Sequence, residues 1–135
     1  MSNYKLSFGE ITIIQDDIAE VIVNDGVEFD LKMVNEYHGF LLKNMKSPFS
    51  LLINKLNSYT YTFEAQRELA SLYQINAMSV IVYNKIAEAS TKSLSTLPRE
   101  MPWKIKIFHD YQAGLRWLQK EQLPAAESML LEVNK

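Results

Sequence analysis

Cysteine is absent from the chain, which removes thiol catalysis, disulfides, zinc ribbons and iron–sulfur clusters together. Only two histidines occur, His38 and His109, too far apart for an HExxH-type pair, so no metal site is expected. The four glycines, Gly9, Gly26, Gly39 and Gly114, are scattered, which leaves no glycine-rich phosphate turn and no Walker loop. No GxSxG elbow is present. The charge balance has no basic excess: 14 Lys and Arg stand against 16 Asp and Glu, for a net charge of −2. Such a chain has no field to hold a phosphate backbone or an anionic membrane, and no nucleic acid is expected among its partners. No apolar run approaches the roughly 20 residues of a membrane helix. The opening MSNYKLSFGE lacks the apolar segment of a secretory leader, so a cytoplasmic protein with no membrane span is expected; an exported protein whose leader has been removed is the alternative.

What the chain does contain is ordinary globular composition, 47% hydrophobic and 22% charged over 135 residues, without repeats or low-complexity tracts. A single domain over 1–135 is expected, with its core at about 8–121 and a helical extension at 122–135. Ile11–Ile14 and Ile18–Val23 are β-branched runs around an Asp16-Asp17 corner and predict a hairpin. Phe49–Ile53, Met78–Tyr83 and Trp103–Phe108 are three further apolar or alternating runs expected to form strands.

Helices are expected between these runs. Asp30 caps one that places Leu31, Val34, His38, Leu41, Leu42 and Met45 on one face. Thr62 caps a second over 63–73, Asn84 starts a third that ends before Pro98, and Asp110 caps a fourth. Pro124 suits the first turn of a short last helix whose Met129, Leu130, Leu131 and Val133 are expected to fold back on the domain, another chain being the alternative. The fold class expected is α/β: a mixed, mostly parallel sheet opened by a β-hairpin, with right-handed βαβ crossovers, covering helices and an extra C-terminal helix.

The succession of MSVIVYNK, a variable helix, WKIKIF and HDYQAGLRWLQK resembles the STAS-like superfamily, most closely its small bacterial domains related to anti-sigma-factor antagonists and to CRAL-TRIO lipid-exchange proteins. The similarity spans about residues 8–121. It implies a non-catalytic regulatory binding domain without a cofactor. Ser58, in Asn57-Ser58-Tyr59, occupies the place of the serine or threonine that is phosphorylated in the antagonists, and is the candidate phosphorylation position. The aspartate before it and the glycine after it are both missing here, so the kinase switch does not carry over with the position.

In parallel sheets, the loops leaving the carboxyl ends of the strands share a rim with helix N-termini. That rim is expected to carry Asn54, Lys55, Asn57, Ser58 and Tyr59, then Tyr83, Asn84 and Lys85, then His109. The lysines favour an acidic group, and Tyr59, Tyr61 and Tyr83 offer flat apolar contact with a hydroxyl end. The same residues also serve as ordinary turn and cap residues, and Asp110 is read as a cap rather than as an orienting partner for His109. No catalytic residue is expected. The expected partner is a protein or an acidic, partly apolar small molecule, the alternative is a lipid or other hydrophobic ligand, and the chain is expected to be a monomer or homodimer.

Overall fold

The computed structural model describes residues 1–99 and 102–133, except the side chains of 124–133. Its strands are β1 (Ser2–Leu6), β2 (Gly9–Gln15), β3 (Ile18–Val23), β4 (Glu28–Phe29), β5 (Phe49–Asn54), β6 (Thr60–Tyr61), β7 (Ile75–Ile81) and β8 (Ile105–Phe108). Its helices are α1 (Leu31–Asn44), α2 (Phe63–Glu68), α3 (Lys85–Ser95) and α4 (Tyr111–Val133). Six strands form one sheet in the order β1-β2-β3-β5-β7-β8, while β4 and β6 pair separately. The sheet is mixed: β1, β2 and β3 are antiparallel neighbours, and β3, β5, β7 and β8 run parallel. The mostly parallel α/β fold with an antiparallel opening is therefore what the chain adopts.

Both ends of the chain differ from the sequence pattern. The opening residues, too polar to mark a buried strand, form β1 at the sheet edge, where exposure of Ser2 to Lys5 makes a hydrophobic pattern unnecessary. The last segment is not a separate helix: α4 runs unbroken to Val133 with Pro124 inside its span. The packing of Met129, Leu130, Leu131 and Val133 lies outside the described side chains.

Side chains alternate across the strands and build two cores. On one face, Ile11, Val21, Leu51 and Met78 meet Val34, Tyr37 and Leu41 of α1, with Phe8 and Phe29 completing an aromatic cluster. On the other, Ile18, Leu52, Ala77 and Ile81 receive Leu118 of α4. Gly114 lets α4 approach this closely, since a Cβ there would stand 2.5 Å from Ile81 Cδ1. A buried polar clasp fixes the same helix at the opposite end of the strands. Gln122 Nε2 donates to Asp17 Oδ2 and to the Pro48 carbonyl, each at 2.9 Å, and Gln122 Oε1 accepts from Ser50 and Asn76.

α1 is rotated slightly from its expected face. Val34, Tyr37 and Leu41 are buried, His38 sits at the boundary, and Leu31 and Leu42 are exposed at 40% and 49%. α2 is shorter than expected and stops at Glu68 with Leu69 as its cap, after which Ala70 takes a left-handed φ of 54°. Arg99 closes its C-terminal end, donating to the carbonyls of Gln66 at 2.9 Å and of Arg67 and Leu69 at 3.3 Å.

Candidate functional site

β3, β5, β7 and β8 all point their carboxyl ends the same way, so the loops after Val23, Asn54, Ile81 and Phe108 share one rim. The rim residues do not act as one surface, because the strand alternation that continues through Asn54 and Lys55 sends them to opposite faces.

Lys55 turns into the α1 face and is 8% exposed. Its amide donates to the Ile81 carbonyl at 3.0 Å, which holds the backbone against β7. Its ammonium lies 3.4 Å from the Tyr61 hydroxyl and 5.1 Å and 5.4 Å from the ring centres of Tyr59 and Tyr61. The two tyrosines flank Thr60, so the period of two puts them on one side; pairing of β4 with β6 sets that side over the core. The Tyr61 hydroxyl donates to that of Tyr59 at 3.4 Å. Tyr37 adds a third hydroxyl, which is buried and has no hydrogen-bond partner among the described residues.

These polar ends border a cavity of about 50 Å³ between the sheet and the helical layer. Val23, Ile53, Val80 and Ile105 form its floor, and Thr91 and Leu94 of α3 form one wall. Trp103 and Ala70 close another wall, joined by a 3.0 Å bond from Trp103 Nε1 to the Ala70 carbonyl, and the Arg99 guanidinium stacks 3.6 Å over the Trp103 ring. Taking about 10–15 Å³ per water-sized group, the space holds roughly three to five such groups.

Burial in these apolar surroundings lowers the Lys55 amine to about 8, because the charged form loses its hydration. Burial also raises Tyr59 and Tyr61, which keeps both phenols protonated at neutral pH. No carboxylate forms an ion pair with Lys55 among the described residues. The site therefore combines one strong donor, neutral hydroxyls and an apolar chamber.

Asn54, 6% exposed, faces the α4 side. Its amide donates to Glu20 Oε2 at 2.8 Å and its carbonyl accepts from the Tyr83 hydroxyl at 2.7 Å, while Tyr111 donates to Glu20 Oε1 at 3.3 Å. This second polar group is internally paired. The other rim residues fix the loops: Asn57 Nδ2 donates to the Val23 carbonyl at 2.9 Å, and the Ser58 amide donates to Asp25 Oδ1 at 3.0 Å. The Ser58 carbonyl accepts from Gly26, whose φ of 78° suits glycine. Asn84 caps α3 through Ala87, and Lys85 is exposed. His109 pairs with Glu88 at 2.8 Å on the surface, and Glu88 is held below the usual carboxylate range by His109 and Lys92.

The fold thus brings the sequence-predicted residues together in two separate groups, Lys55 and Tyr59 with Tyr61 beside them on the α1 face, and Asn54 with Tyr83 on the α4 face. Tyr37, Phe29, Thr91 and Trp103 were hidden. Tyr37 lies between Val34 and Leu41 at helical spacing, and that was the one available signal. No protein-family profile, curated protein or solved structure matches the chain.

Proposed function

We propose that the protein is a non-catalytic binding domain that takes a small molecule with a short apolar body and an acidic end into the cavity beside Lys55. The observation that carries this reading is a buried ammonium that has no acidic partner among the described residues, set next to phenolic hydroxyls. Buried charges are normally paired, because an unpaired one costs several kcal/mol. A ligand carboxylate would pair with Lys55, accept from Tyr59 and place its carbon chain against Ile53, Val80 and Leu94. A charged hydrogen bond of about 1.5–3 kcal/mol corresponds to roughly ten- to a hundredfold in affinity. The cavity volume favours a short ligand over the long chain of a lipid cargo. The mixed sheet opened by antiparallel strands supports keeping the chain among STAS-like domains.

Titration calorimetry with butanoate, hexanoate and their neutral amides tests the proposal. Expected are saturable binding of an acid, at least tenfold weaker binding of its amide, and loss of the acid's advantage in Lys55→Met. Equal affinity for acid and amide would overturn it.

A further inference from the structure

A primary amine held in a small apolar chamber beside neutral phenols is also equipped for chemistry that needs no metal or cofactor. We propose that Lys55 captures short apolar aldehydes as a reversible imine, with the Tyr61 hydroxyl serving the carbonyl oxygen. This deepens the reading of the same cavity and rests on it, since both require a short chain to enter between the sheet and α3.

The geometry supplies the parts. The amine is 3.4 Å from the Tyr61 hydroxyl, so an aldehyde carbon within reach of Nζ places its oxygen near the same phenol. Tyr61 is hydrogen-bonded onward to Tyr59, which gives the proton a second phenol to exchange with. The surrounding Val, Ile and Leu side chains form an apolar lining that offers water few partners and so slows hydrolysis of the product. Burial also keeps an appreciable share of the amine neutral near pH 8, whereas an exposed lysine is almost wholly protonated there.

The step balances without an oxidant or reductant. The neutral amine's lone pair attacks the carbonyl carbon while the carbonyl oxygen takes a proton from Tyr61, giving a carbinolamine. Nitrogen then gives one proton to the phenolate. The hydroxyl departs as water on receiving a proton from the Tyr59–Tyr61 pair while the nitrogen lone pair forms C=N. The resulting iminium returns its remaining N–H proton to the pair, leaving a neutral imine and both phenols restored. One C=N bond replaces one C=O bond, and one water is released. In the reverse direction water enters and the aldehyde is freed, so the reaction is capture and release.

The test uses the full chain with butanal and sodium cyanoborohydride at pH 8, where the reductant only fixes any imine as a secondary amine. Peptide mass spectrometry is expected to find the butyl adduct on Lys55 at least ten times faster than on exposed Lys85. Lys55→Arg should lose that adduct while its circular dichroism is unchanged, and Tyr61→Phe should slow labelling about tenfold. Labelling of Lys55 no faster than of Lys85 would overturn the inference. Butanoate separates the two proposals. If butanoate binds by calorimetry but butanal does not prefer Lys55, imine capture fails and acid binding stands. If Lys55 is labelled selectively and butanoate neither binds nor protects it, imine capture stands and the acid reading falls.

Discussion

Asn54 and Lys55 share a peptide bond yet face opposite sides of the sheet, Asn54 bonded to Glu20 and Tyr83 and Lys55 set beneath Tyr59 and Tyr61. One polar group is fully paired within the fold and the other is not. The difference separates a residue whose polar groups the fold satisfies from one whose burial costs stability.

Lys55→Met should therefore stabilise the protein. The apolar thioether fills the same space without burying a charge, and a gain on the order of 1–3 kcal/mol at pH 7 is expected. The native Lys55 is lowered to about 8 from 10.5, so the unfolded chain holds its proton to higher pH than the folded one. Its unfavourable contribution is complete below about pH 8 and fades as pH rises toward 10.5. Urea unfolding at pH 7 and pH 9.5 checks both points: the gap between variant and native protein should narrow at the higher pH. A variant less stable than the native protein at pH 7 would assign Lys55 a structural role.

Asn54→Leu should do the reverse. It leaves Glu20 and Tyr83 without their shared partner, and a loss of about 1–3 kcal/mol is expected. Affinity for a short acid should change less than twofold, because the substitution faces away from the cavity. Parallel calorimetry and thermal unfolding of the two variants measure the contrast.

His38 sets an acid limit. Its Nε2 accepts the Ala70 amide at 3.1 Å and is therefore unprotonated in the fold, and burial lowers the ring to about 4. The unfolded chain takes up this proton first, so the contribution of His38 is complete above pH 6.5 and is lost as pH falls through about 4. Partial exposure limits the effect to on the order of 1–2 kcal/mol. His38→Gln, which can still offer an acceptor, should flatten the stability profile between pH 6.5 and pH 4 in denaturant titrations.

Gly114→Val should lift α4 from the sheet. A Cβ at this position meets Ile81 Cδ1 at 2.5 Å, closer than ordinary contact, and overpacking of this kind costs about 1–3 kcal/mol. Hydrogen exchange should rise first in the amides of α4, while the amides of α1 keep their protection. Uniform loss of protection would show instead that both layers unfold together.

The sequence by itself determined the strand and helix alternation. Apolar runs such as Phe49–Ile53 form buried strands, and the run expected at Met78–Tyr83 lies in the sheet as Ile75–Ile81 with Tyr83 left exposed beyond its end. Asp30, Thr62, Asn84 and Asp110 cap helices through their own side chains. It also drew Lys55 and Tyr59 to the rim, because loop position follows from strand ends. It could not give the ends of α2 and α4. Arg99, some 30 positions downstream, closes α2 with carbonyl contacts, and Pro124 is carried within a helix docked through Gln122. Nor could it show the cavity, whose walls come from residues between Val21 and Ile105 and whose phenols meet Lys55 only after β4 pairs with β6. Local propensity acts over a few neighbours and is readable in order. Burial without a partner is a property of the packed chain, and tertiary contact alone decided it.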